Sequence, residues 1–344
     1  MPQYYYNPFN NGSNQGNAYN EQIQRMYERE QRKKAEKREL RKIGIALGIA
    51  IVAYIIFQTV VSLLLMRLDM YSLYKESAVF QYAFNVIFVS VLSVAVPFGI
   101  VALFNRKKYN GSIVPNKPIK ASIGFAWICC GMGCCIAVNM AVNYLISFLK
   151  TAFNITLTQG ESLEPDSIFA CVMEVIALAV IPALCEEFAM RCCSLQLLKK
   201  YGTGFAVLAV SMVFGLLHGN VIQFLFAFAV GAVLAYVTVK TESIIPAILI
   251  HMLNNGMSAV QDIVKYALGE KASSYAIVAM FILWVVAGIL AAVYLFFKKE
   301  FKGINDSGKS VLTNGEKMSA FLFPGMIVPF FILIAMTAQT VSIG

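Results

Sequence analysis

Long runs without a single charge alternate along this chain with short segments rich in Lys and Arg. The uncharged stretches cover 43–66, 77–105, 121–149, 201–239, 243–261, 272–297 and 318–344, and 167–185 is broken only by Glu174. A bilayer core takes about 20 apolar residues per helix, so each run predicts one membrane-spanning helix and 201–239 predicts two. The break in that double run falls at His218-Gly219-Asn220, a polar turn between LAVSMVFGLL and VIQFLFAFAV. The pattern predicts an all-α polytopic transmembrane bundle of about eight or nine spans, with any active site inside the bundle. Its parts are a basic tail over 1–42, three N-terminal spans over 43–150, a helical core over 167–262 and two C-terminal spans over 272–344.

Composition agrees: 58% of residues are hydrophobic, 14% are charged and the mean hydropathy is +0.67, far from a soluble globular domain. With the N-terminus inside, the outer loops hold only Arg67, Lys75, Lys150, Lys265 and Lys271, so 23 of the 28 Lys and Arg lie on the inner side. This asymmetry predicts a multi-pass protein of the cell membrane with a cytoplasmic N-terminus and an outer C-terminus. The net charge of +9 is then a topology signal with some attraction to anionic lipid, and nucleic acid is not an expected partner.

The first apolar run begins at residue 43 and is long enough to stay in the membrane, so no secretory signal is read. YYYNPFNNGSNQGNAYN cannot build a core and reads as disordered. RMYEREQRKKAEKRELRK, with Glu28/Arg32 and Glu30/Lys34 four apart, predicts a charged helix resting on the inner leaflet. The cysteines of CCGMGCC (Cys129, Cys130, Cys134, Cys135) suit close helix packing in lipid better than a metal or redox site. GINDSGKS at 303–310 fits the phosphate-loop pattern, but it follows FFKKEFK rather than a buried strand, and nothing around it would make a nucleotide domain. No nucleotide is therefore expected.

Neither HExxH nor GxSxG occurs, which disfavours helical zinc-site and serine-elbow chemistry. The candidate chemistry gathers elsewhere. Glu187 and Arg191 are four apart in LCEEFAMRCC, Phe214 and His218 in FGLLH, and His251 and Asn255 in HMLNN; each pair shares a helix face. Glu186 points about 100° away from Glu187, so the two glutamates are expected to have different partners: Arg191 for Glu187, and His218 with His251 for Glu186. Counted from Lys199/Lys200, Glu186 and His218 lie about 21 and 27 Å deep, and from Lys240 His251 and Asn255 lie about 16 and 22 Å deep. Ionisable groups at that depth face the bundle interior. A carboxylate in such a pocket can take a proton from water, an imidazole can orient that water, and an imidazole with an amide can donate to an oxyanion.

These three motifs, in this order on successive helices, resemble those of the CPBP family, also called Abi: CAAX proteases and bacteriocin-processing enzymes. The resemblance covers residues 168–262 and no motif position departs from it. It implies an intramembrane endopeptidase, a hydrolase acting on a peptide bond of a membrane-associated peptide or protein. By the resemblance Glu186 is the general base, His218 assists with the water, and His251 and Asn255 form the oxyanion hole. Glu187, Arg191 and Phe214 then support the site. The family is often labelled metalloprotease, and Glu186, His218 and His251 would suit Zn2+ with one position left for water; a metal-free glutamate mechanism fits the same residues. The expected partners are membrane lipids and the substrate, reached from the inner side or laterally. Two other readings use the same residues: a catalytically inactive scaffold or immunity protein on this fold, and a proton-coupled transporter, for which no inverted repeat is evident.

Overall fold

The computed structural model describes residues 14–109, 112–158, 163–302 and 310–343, with side chains from residue 19 onward. Nine long helices follow one another as α1 (Asn14–Arg67), α2 (Ala78–Phe104), α3 (Ala121–Phe153), α4 (Ile168–Tyr201), α5 (Thr203–Leu216), α6 (Val221–Thr241), α7 (Ile245–Leu268), α8 (Glu270–Phe297) and α9 (Asn314–Ala338). Every uncharged run has become a helix, and the double run breaks between α5 and α6 at the expected turn. Outside them lie a short helix at Tyr71–Glu76 and a small antiparallel pair, β1 (Ile155–Leu157) with β2 (Val341–Ile343), in which Ile155 faces Ile343. The pair ties the C-terminal segment to the end of α3, and no sequence period announced it.

Among the described residues, seven of these helices are long and apolar enough to cross a membrane. Of the other two, one carries His251 and one ends just before His218. Helix α5 has 14 residues, about 21 Å against a hydrocarbon core of about 30 Å. Helix α7 has 24 residues but shows a stripe of His251, Asn254, Asn255, Ser258, Gln261 and Asp262 at helical spacing, which lowers its hydropathy. Both departures belong to the residues that carry chemistry.

Proline shapes the spans. A wide π-helical stretch at Asn85–Ala95 precedes Pro97, another at Val175–Val180 precedes Pro182, and a third at Leu322–Met326 contains Pro324 with Phe323 extended. Proline has no N–H to give and crowds the carbonyl four residues back, so the preceding turn widens.

The charged tail departs from its expectation. It is continuous with the first span, since no Pro or Gly interrupts residues 25–43, and its later part docks on the bundle. Glu39 meets Lys200 at 2.6 Å, Lys37 meets Glu316 at 2.8 Å, and Ser310 donates to Glu36 at 2.7 Å. Of the YYYNPFNNGSNQGNAYN tract at 4–20, residues 4–13 lie outside the described residues and the rest opens α1. The GINDSGKS loop lies outside them too, apart from Ser310. Small residues set the close crossings: Gly44 and Gly48 of α1 abut Phe321 and Gly325 of α9, where a Cβ would strike backbone. In the cysteine-rich segment Cys129, Met132 and Cys135 are buried, and a Cβ on Gly133 would come 2.9 Å from the Gly288 Cα of α8. That segment is packing surface.

Candidate active site

The first motif lies on α4, where the chain is least regular. Ser167 caps the helix, accepting from the Ala170 N–H at 3.1 Å. Wide turns at Val175–Val180 and Phe188–Ser194 flank a regular stretch, Ile181–Glu187. In the second wide turn side chains serve carbonyls: the Ser194 hydroxyl donates to Ala189 at 2.9 Å and the Gln196 amide to Arg191 at 3.0 Å.

Glu187 and Arg191 are both 0% exposed, with Nε and Oε2 at 3.0 Å. The contact is an ion pair by distance but is not aligned as a hydrogen bond, and Arg191 Nη1 has no hydrogen-bond partner among the described residues. The guanidinium is held from two more sides. Its Nη2 donates to the Gly231 carbonyl of α6 at 3.2 Å, and its carbon sits 5.0 Å from the centre of the Phe214 ring, a cation–π contact strengthened by burial. Glycine at 231 is required for that approach, because a Cβ there would stand 3.0 Å from Phe214 Cδ1.

His251 joins the two glutamates. Its Nδ1 donates to Glu187 Oε1 at 2.8 Å, while its Nε2 stands 3.7 Å from Glu186 Oε2. The expectation of separate partners therefore fails. Two side chains that diverge on α4 still meet one imidazole on α7, because its two nitrogens lie on opposite edges of the ring. Glu186 keeps 23% of its surface exposed and Glu187 none, which separates an accessible carboxylate from a sealed one.

His218 lies just past the end of α5, and its Nδ1 donates to the Phe214 carbonyl at 2.8 Å. Among the described residues no ion pair joins it to Glu186. The Phe214 ring stands edge-on to both imidazoles, 5.0 Å from His218 and 5.8 Å from His251, and so keeps them apart. Of the two partners expected for Glu186, His251 approaches it, while His218 is turned to the Phe214 carbonyl.

Asn255 donates from Nδ2 to the Leu178 carbonyl at 3.1 Å and accepts from Asn254 at 3.2 Å. Its partner is explained by Pro182, which has no N–H to offer the carbonyl four residues before it. Sequence reasoning missed this link, along with Gly231 and Tyr54. The Tyr54 hydroxyl donates to the Leu217 carbonyl at 2.8 Å, beside the turn that carries His218. A tyrosine in the middle of the first apolar run was the available signal.

Among the described residues no three His, Cys, Asp or Glu are grouped to hold a metal ion, so Glu186, His218 and His251 are not gathered as a zinc site, although the Nδ1 contacts of both histidines leave Nε2 open. A cavity of about 570 Å3 reaches His218 and Asn255 and runs between α3, α6, α7 and α8. It extends toward the ends of α3 and α7 and the start of α6, whereas Lys120, Lys199, Lys200 and Lys240 mark the opposite end of the bundle. Of the two expected routes, inner or lateral, this cavity leads away from the inner one.

No curated protein and no solved structure matches the chain. The family model described as type II CAAX prenyl endopeptidase Rce1-like matches residues 168–257, which contain every residue of the three motifs. By that match the CPBP resemblance stands for residues 168–257, a segment similar to CAAX endopeptidases, within a chain whose long apolar helices make it a multi-pass membrane protein.

Proposed function

We propose that this protein is an intramembrane endopeptidase that hydrolyses a peptide bond of a membrane-associated peptide or protein. The observation that carries the reading is the position of His251, with one ring nitrogen on buried Glu187 and the other facing the accessible Glu186 at 3.7 Å. Donation from Nδ1 to Glu187 fixes the tautomer, leaving a lone pair on Nε2. A water hydrogen-bonded to Glu186 and to Nε2 has its oxygen free to attack a carbonyl carbon. Glu186 takes the proton as the new C–O bond forms, then passes it to the departing amine as the C–N bond breaks. Asn255 keeps one N–H on Leu178 and offers the other to the oxyanion. His218, donating from Nδ1 to its own helix, presents Nε2 as an acceptor for a substrate N–H. This geometry favours His251 over His218 as the partner of the water and leaves Asn255 alone in the oxyanion role that the family resemblance gives to both.

The test is to incubate the purified protein in detergent with a library of peptides and lipidated peptides and to look for products by mass spectrometry. Wild type should yield defined cleavages and Glu186→Gln none. Equal product sets from both, or none from wild type, would reject the reading and favour a non-catalytic scaffold.

A further inference from the structure

The cavity beside the motifs has an unusual lining for a membrane bundle. Asn139 and Asn143 project from the second half of α3, Gln223 from the first turn of α6, and Asn254 and Gln261 from α7. No Asp, Glu, Lys or Arg lines it. Between the amides lie apolar side chains, among them Ile222, Phe226 and Phe281.

Much of the hydrogen-bonding capacity of these amides is unspent. Asn143 Nδ2 donates to Asn139 Oδ1 at 2.9 Å and Asn220 Nδ2 to Gln223 Oε1 at 2.6 Å. Among the described residues, the Gln261 side-chain amide, the Asn139 Nδ2 and the Gln223 Nε2 have no hydrogen-bond partner. A carboxamide offers a donor and an acceptor side by side, the same pair that each residue of an extended peptide presents. Asn139, Gln223 and Asn254 are half-buried while Asn143 and Gln261 are exposed, and uncharged amides give a peptide backbone its hydrogen bonds without favouring any one side chain. A charged side chain or a terminal carboxylate would enter with no opposite charge to meet it.

We propose that this cavity, which reaches His218 and Asn255 but not Glu186 or His251, is the part of the substrate cleft beside the scissile bond, and that its carboxamides bind the backbone of an uncharged internal segment in extended form, entering from the end of the bundle away from Lys120, Lys199, Lys200 and Lys240. This rests on the endopeptidase reading and adds the class of substrate: a chain recognised by its backbone, with no requirement for a free C-terminus.

The test uses the full-length protein in detergent and one peptide that the wild type cleaves. It is prepared with a free C-terminus, with an amidated C-terminus, with a lysine or aspartate adjacent to the scissile bond, and with single N-methyl groups on backbone nitrogens near that bond. Amidation should leave kcat/KM within twofold, a flanking charge should lower it at least tenfold, and N-methylation at one or more positions should lower it about fivefold. Gln261→Leu and Asn139→Leu should raise KM several-fold with kcat within twofold and an unchanged melting temperature. Binding of the same peptides to Glu186→Gln, followed by fluorescence anisotropy, should rank them in the same order. If amidation lowers kcat/KM tenfold, or if N-methylation and both Leu variants have no effect while Glu186→Gln remains inactive, the cleft assignment is overturned and the protease reading survives. If Glu186→Gln cleaves as wild type does, the protease reading itself fails and the cleft assignment falls with it.

Discussion

Adjacent residues in LCEEFAMRCC have opposite fates: one glutamate is sealed, the other faces solvent-accessible space. Glu187 shares its charge with Arg191 on its own helix and with His251 across the bundle, so removing one member of the Glu187–Arg191 pair leaves the other buried and unpaired. Glu187→Gln and Arg191→Ala are each expected to cost about 3–5 kcal/mol, visible as a lower melting temperature and lower yield. Glu186→Gln is expected to retain its fold and abundance while losing turnover; a dead but fully stable Glu187→Gln beside an active Glu186→Gln would reverse these assignments. Asn255 combines both kinds of work. Its removal leaves the Leu178 carbonyl unserved, at about 1–3 kcal/mol, and takes an oxyanion donor worth about 10²–10³ in kcat. Pro182→Ala tests the link from the other side. It restores an N–H near Leu178, so kcat should fall with little loss of melting temperature; a kcat equal to wild type would mean that Asn255 is not positioned through that carbonyl.

At the level of the helices, the site depends on how closely α6 approaches α4. Gly231→Ala would push a methyl against Phe214 and lift the guanidinium from its carbonyl, with an expected cost of about 1–3 kcal/mol measured by thermal unfolding. Gly204→Ala, on α5 with open space around its Cβ position, is the control and should be neutral. The helices themselves were legible in the charge-free runs, and so was the α5–α6 turn, because in lipid the backbone must pair within each segment. The site was legible only in part. Spacing of four showed Glu187 with Arg191, but no periodicity reports which helix crosses which, so the union of Glu186 and Glu187 on His251 and the separation of His218 by Phe214 were not readable. The Leu178–Asn255 link was missed for a related reason, since it needs a proline on one helix and an amide on another. Ile245–Leu268 was read as an ordinary span although its polar stripe already marked it as a cavity wall.

For the molecule as a whole, the Lys and Arg asymmetry and the positive-inside rule lead us to propose a cytoplasmic N-terminus. In a background lacking the native cysteines, Gln15→Cys should resist an impermeant maleimide added to intact cells, and Ser342→Cys should react with it. The reverse pattern would invert the topology and with it the side from which the cleft is reached. A last consequence concerns helix α1, 54 residues in one piece. The portion before Ile43 spans roughly 40 Å at 1.5 Å per residue and carries stabilising pairs such as Arg25–Glu21 and Arg32–Glu36. A small rigid protein spliced onto it in helical register would keep a fixed orientation to the bundle. For electron microscopy, a 37.9 kDa chain almost hidden in its detergent belt would thereby gain a fiducial marker by which its images can be aligned.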